Sequence, residues 1–178
     1  MDEVLIPLKS TGTGGALKYL KILSNKMFAQ EQNMSCAAAC IRQIAKDNGI
    51  DITEKAVRQI AETTEEFGTF IDNIGPALKE VFKNNEIHFG HANMPQLTGK
   101  EIAEILSKNN SWIAVVKPTN AIEHTIIVDK IVGKNVYIRD PWPIEGISKT
   151  AKGVEAIVDI DDFIISWERV GQYFARIK

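Results

Sequence analysis

At 178 residues, with 44% hydrophobic and 25% charged side chains, the chain has the composition of a soluble globular protein. It is long enough for one domain or two small lobes around a cleft, with a core that needs no disulfide or metal staple. A formal net charge of −2 without long runs of like charge argues against a nucleic-acid or anionic-membrane partner.

The first expected unit is a leading segment, residues 1–28. It starts acidic and lacks the apolar stretch of a secretory signal peptide, and no apolar run in the chain approaches bilayer-spanning length. The expected setting is therefore cytoplasmic, or the chain is a piece of a longer secreted protein. The run Thr11-Gly12-Thr13-Gly14-Gly15 reads as a flexible loop, because the Lys-Ser/Thr of a phosphate-cradling loop does not follow it. Residues 16–28 space Leu17, Leu20, Leu23 and Met27 at helical intervals, which predicts one helix there.

The second unit, residues 29–178, starts with a helix predicted from about Cys36 to Asn48, with Ser35 as its cap and Gly49 as its stop. Ala37, Cys40, Ile41 and Ile44 form its apolar stripe. A third helix follows Thr53, and Ile71, Ile74, Leu78 and Val81 mark a fourth. His88 and His91 fall in a polar stretch expected to be surface or loop. Residues 100–109 read as a fifth helix with Ile102, Ile105 and Leu106 inward. Trp112–Lys117, His124–Ile131 and Lys134–Arg139 are rich in Val and Ile and read as strands, with Gly133 in the turn between the last two. Residues 163–167 suggest a short helix and 172–177 a closing strand. The expected class is α+β, a helical front half meeting an antiparallel sheet at a cleft.

Few residues can carry chemistry. Cys36 and Cys40, four apart, share one helix face, where a disulfide does not close, so both are expected as free thiols. Cys36 sits at the helix start, where unpaired amides and the helix dipole favour a thiolate by about 0.3–1 kcal/mol. Cys40 lies a turn further on the apolar stripe and reads as an inert buried thiol. A zinc site lacks soft ligands, and no metal or cofactor is expected. His124 opens an apolar strand, and Asp140 ends the partner strand. In a hairpin turning at Gly133 the two come near one another, so the carboxylate can fix the imidazole tautomer and leave the other nitrogen as base. Gln30, six residues before Cys36, is a candidate oxyanion donor beside the Cys36 amide, with Gln32 as its competitor. Trp112, Trp142 and Trp167 could line a cleft or fill the core.

The order Gln30, Cys36, His124, Asp140 resembles the papain-like cysteine peptidases, and most of all the bacterial C39 peptidase domains. The resemblance covers roughly residues 28–145. It is carried by the Gln30-to-Cys36 spacing, the helix bearing Cys40, Gly68-Thr69 before the next helix, His124 opening its strand, and Asp140 sixteen residues later in Tyr137-Ile138-Arg139-Asp140-Pro141. It implies that residues 29–178 form a papain-like hydrolase domain with Cys36, His124, Asp140 and Gln30 as its catalytic set. It further implies a peptide or protein substrate, such as a leader peptide cut after a double glycine. The family's usual Asp-Cys-Gly is here Ser35-Cys36-Ala37, and Pro141-Trp142-Pro143 is this chain's own; both departures bear on substrate more than on catalytic class. Through Asn33-Met34-Ser35-Cys36 the sequence is also similar to papain-like toxin domains at the C-termini of secreted bacterial effectors. That resemblance implies action in a target cell and a cognate immunity or inhibitor protein. A glutamine deamidase or transglutaminase would use the same triad, and a catalytically silent peptide-binding module is the alternative from another class.

Overall fold

The computed structural model describes residues 17–118, 122–144 and 146–178. Seven strands form one antiparallel sheet. They are β1 (Tyr19–Ser24), β2 (Ile87–His91), β3 (Trp112–Val116), β4 (His124–Val132), β5 (Asn135–Asp140), β6 (Val154–Asp159) and β7 (Tyr173–Ile177), in the order β1-β6-β5-β4-β3-β7-β2. Three helices, α1 (Cys36–Asp47), α2 (Glu54–Ile60) and α3 (Ile71–Val81), cover one face. Two more, α4 (Gly99–Leu106) and α5 (Ile160–Glu168), cover the other.

Every residue of β3 is buried, because alternate side chains enter different cores. Trp112, Ala114 and Val116 join Phe163 and Trp167 of α5, whereas Ile113 and Val115 meet Ile41 and Ile44 of α1 and Leu78 of α3. Trp112 and Trp167 are therefore core residues, with Phe163 stacked on Trp167 at 5.9 Å.

The expected α+β class stands. Helices from the front half lie on the sheet, and the front half also contributes both edge strands. The helix expected within residues 16–28 is instead β1. Its main chain pairs with β6, a neighbour more than a hundred residues away, and those bonds override a local Leu spacing that favours a helix. The Gly-rich run at 11–15 lies outside the described residues.

His88 and His91 are on the surface, as expected, yet they belong to strand β2 because β7 pairs with it from Ile87↔Ile177 to His91↔Tyr173. Strand β6, without an expected counterpart, fits between β1 and β5. In α4, Ile102 and Leu106 are buried, but Ile105 points outward and is 49% exposed. The Gly133 turn holds, with φ at +61°.

Candidate active site

The site forms where the first turn of α1 meets the facing ends of β4 and β5. Helix α1 starts at Cys36 with Ser35 in the cap position. The Ser35 hydroxyl does not accept a helix amide, however; it bonds the Gln32 main chain, donating to the carbonyl at 3.1 Å and accepting the amide at 3.0 Å. Serine here closes the loop before the helix rather than capping it. The α1 stripe is buried as its spacing predicts, which seats the helix on the sheet beneath its first turn.

His124 and Asp140 come together. The pair Ile127↔Arg139 puts Asp140 one step on, level with Ile126, so His124 is its diagonal neighbour on the same face rather than directly opposite. His124 Nε2 and Asp140 Oδ1 are 2.7 Å apart, and both side chains are fully buried. The other ring nitrogen, Nδ1, is buried without a hydrogen bond of ordinary geometry among the described residues. Cys36 is in contact with the same imidazole. Burial opposes the Cys36 thiolate, but the contact with His124 and its charge, helped by Thr125, outweigh burial and hold the thiol below its ordinary pKa. Burial likewise opposes the imidazolium, yet Asp140 and Cys36 raise His124 to about 10. A proton shared this way favours thiolate and imidazolium together.

Cys40 is chemically different. It is fully buried, its Sγ lies 3.4 Å from the Thr125 carbonyl as a donor, and burial first, then the charge of Cys36, pushes its pKa well above a normal thiol. Both cysteines are free.

Gln30 is buried close to these groups. Its backbone N–H donates to the Pro141 carbonyl at 2.9 Å, tying the loop before Cys36 to the chain just after Asp140. Its side-chain Nε2 donates to the carbonyls of Gln32 and Asn33, both at 2.9 Å. In this conformation the amide protons organise the loop, and pointing one at an oxyanion requires releasing a carbonyl. Gln32 contributes to that loop through its main chain.

Two polar neighbours of the site escaped sequence reading. Tyr19, on β1, donates its hydroxyl to Asp140 Oδ2 at 2.5 Å. Only a polar-tipped aromatic in a Leu/Ile run marked it, and its partner is 121 residues away. Glu54, the first residue of α2, is fully buried and accepts the Glu31 amide at 3.0 and 3.2 Å, with Ser35 beside it. An acidic residue in a first helical turn ordinarily signals only dipole matching, and that signal hid it.

A groove of about 690 Å³ leads away from Cys36 and Ala37. Phe67 and Phe70, 61% and 62% exposed, flank it with Ile122, and its charged lining among the described residues is acidic: Glu66, Asp72 and Glu123. None of the tryptophans lines it; Trp142 is buried and donates its amide to Asp140 Oδ1 at 2.9 Å.

This arrangement can activate a thiol for acyl transfer. Solved structures share the fold, among them three peptidase domains. The peptidase domain of Streptococcus ComA, a bifunctional ABC transporter of a quorum-sensing pathway, is 18% identical, with 86% of this chain and 98% of that one covered and a TM-score of 0.63. A double-glycine-motif protease from an AMS/PCAT transporter, in complex with the leader peptide, is 16% identical over 90% and 93%, with a TM-score of 0.62. A C39-like peptidase from Bacillus anthracis is 14% identical over 88% and 96%, with a TM-score of 0.63. Compared with the curated proteins, the chain matches none. The sequence itself matches the peptidase C39 family over residues 24–170. The chain belongs to the peptidase C39 family, and with it to the cysteine peptidases.

Proposed function

We propose that this chain hydrolyses a peptide bond with Cys36 as nucleophile, His124 as acid and base, and Asp140 holding the imidazole. The observation that carries the reading is the division of labour on His124: Nε2 is bound to buried Asp140, while Nδ1 is left for Cys36 at the start of α1. The Cys36 thiolate attacks the carbonyl carbon, and the imidazolium gives its proton to the leaving amine. Water, deprotonated by the neutral ring, then frees the acid from the thioester. The oxyanion forms against the Cys36 N–H, a first-turn amide without an intrahelical acceptor. Gln30 joins it by exchanging the Gln32 or Asn33 carbonyl for that oxygen.

The substrate is an extended peptide segment lying in the groove. A neighbouring fold of the same kind was solved with a leader peptide bound, which supports a peptide ligand here. Phe67, Phe70 and Ile122 offer contacts to apolar side chains, and the acidic lining favours basic residues beside them. A leader peptide of the producing cell and a protein of a neighbouring one would be cut by the same chemistry.

Alkylation of Cys36 by iodoacetamide, followed against pH, tests the reading. The rate stays high well below the ordinary thiol range and collapses in His124→Ala. An ordinary thiol profile that ignores this substitution refutes the triad. With peptide libraries, cleavage yields two products; a change of mass without cleavage would make the enzyme a deamidase instead.

A further inference from the structure

Asp140 is completely enclosed, so its two oxygens depend on protein donors. Oδ1 receives His124 Nε2 at 2.7 Å and the Trp142 amide at 2.9 Å. Oδ2 receives the Tyr19 hydroxyl at 2.5 Å. Tyr19 is itself buried, at 3% exposure, and both burial and the neighbouring carboxylate disfavour its ionisation, so it stays a donor in alkaline solution. It stands on edge strand β1, upstream of the stretch matched to the family, at 24–170.

We propose that Tyr19 is a positioning residue for the His124–Asp140 pair: its hydroxyl fixes the carboxylate and draws charge onto Oδ2, setting how tightly Oδ1 holds the imidazolium. This rests on the catalytic reading above, in which His124 carries the proton. Among the described residues, the other titratable groups around the pair are Cys36 and Cys40 of α1. Arg139, next to Asp140 on β5, is turned away onto Asp129 and Asp47. Strand β6 presents Val154 opposite Asp140. The Tyr19 hydroxyl is thus the donor that tunes Oδ2.

A hydrogen bond to a carboxylate favours its charge and weakens its pull on other cations. Removing the hydroxyl in Tyr19→Phe returns that charge to Oδ1, and the imidazolium persists to higher pH. The measurement is the ring-nitrogen NMR titration of His124 in the full chain, with its signals assigned by their loss in His124→Ala. Tyr19→Phe is expected to raise the midpoint by roughly half a unit to one pH unit. Placing 3-fluorotyrosine at position 19, a more acidic phenol of nearly the same shape, is expected to lower it. Opposite shifts distinguish charge tuning from mere packing. An unchanged midpoint in both proteins overturns the proposal, and if Tyr19→Phe does not fold, the fluorinated protein decides alone. The failures are separable: alkylation of Cys36 that is indifferent to His124 removes the catalytic reading, whereas normal alkylation with an unmoved midpoint removes only the role of Tyr19.

Discussion

Glu54 should make the protein less stable as the pH rises through neutrality. Its carboxyl is fully buried at the start of α2, where it accepts the Glu31 amide and lies 3.4 Å from Arg58 Nε. Burial is the largest influence and outweighs these partners, taking the carboxyl from an ordinary 4.5 to about 7. The folded state therefore binds this proton more tightly than the unfolded chain does. Its contribution is fully present below pH 4.5 and is lost as pH rises to 7 and beyond. At roughly 1.4 kcal/mol per pH unit, that interval corresponds to about 3 kcal/mol. Glu54→Gln keeps the shape and cannot ionise, so its difference from the wild type isolates this contribution. Urea unfolding of both proteins near pH 4 and near pH 8 gives the comparison. The wild type is expected to lose about 3 kcal/mol relative to Glu54→Gln between the two conditions. A gap that does not change with pH refutes the reasoning, and a gap of opposite sign means that Arg58 rather than burial governs the carboxyl.

Two further perturbations address the fold and the groove. Arg139 grips Asp129 of β4 through two nitrogens, at 2.9 to 3.2 Å, and reaches Asp47 at the end of α1 at 2.6 Å. Arg139→Met is expected to lower unfolding free energy by about 2 kcal/mol, less than for a fully buried pair because both carboxylates are about a third exposed. Arg139→Lys should recover only part of it, since one ammonium cannot hold both acids in that geometry; equal recovery in urea melts would contradict this account. In the groove, Glu66→Lys with Asp72→Lys should raise KM for a basic peptide roughly fivefold and leave kcat nearly unchanged, the effect fading with salt. Cleavage kinetics that do not respond to these charges would show that the peptide avoids this surface.

What could be read from the sequence follows how far each partner lies along the chain. The His124–Asp140 pair was legible because a short hairpin with glycine in its turn joins the two strands. The position of Cys36 at the start of α1 was legible because a helix start is a local signal. Strands β1, β2 and β6 were not. The two edge strands owe their state to β6 and β7, from the far end of the chain, and their own residues carry little alternation. Tyr19 was hidden for the same reason, and a helical reading of residues 16–28 gave its hydroxyl no partner. Gln30 shows a different limit. Spacing put it near Cys36, but the carbonyls that occupy its amide belong to a loop whose shape depends on Ser35 and Glu54.

The place of β7 in the sheet bears on how the chain is made. It lies between β3 and β2, and among the described residues no other strand bridges those two. While the chain emerges from a ribosome, β3 keeps one unpaired edge and β2 has no strand partner among the described residues until residues 173–177 appear, even though both were synthesised long before. The β4–β5 hairpin can pair early, so the strands bearing His124 and Asp140 meet while the sheet is still open on the far side of β3. Closure is then a late, non-local step, of the kind that folds slowly and leaves strand edges exposed to other chains. Once β7 arrives it is bolted from both faces, with Trp167 donating to the Tyr173 carbonyl at 2.8 Å and the Tyr173 hydroxyl accepting the Gly75 amide at 2.9 Å.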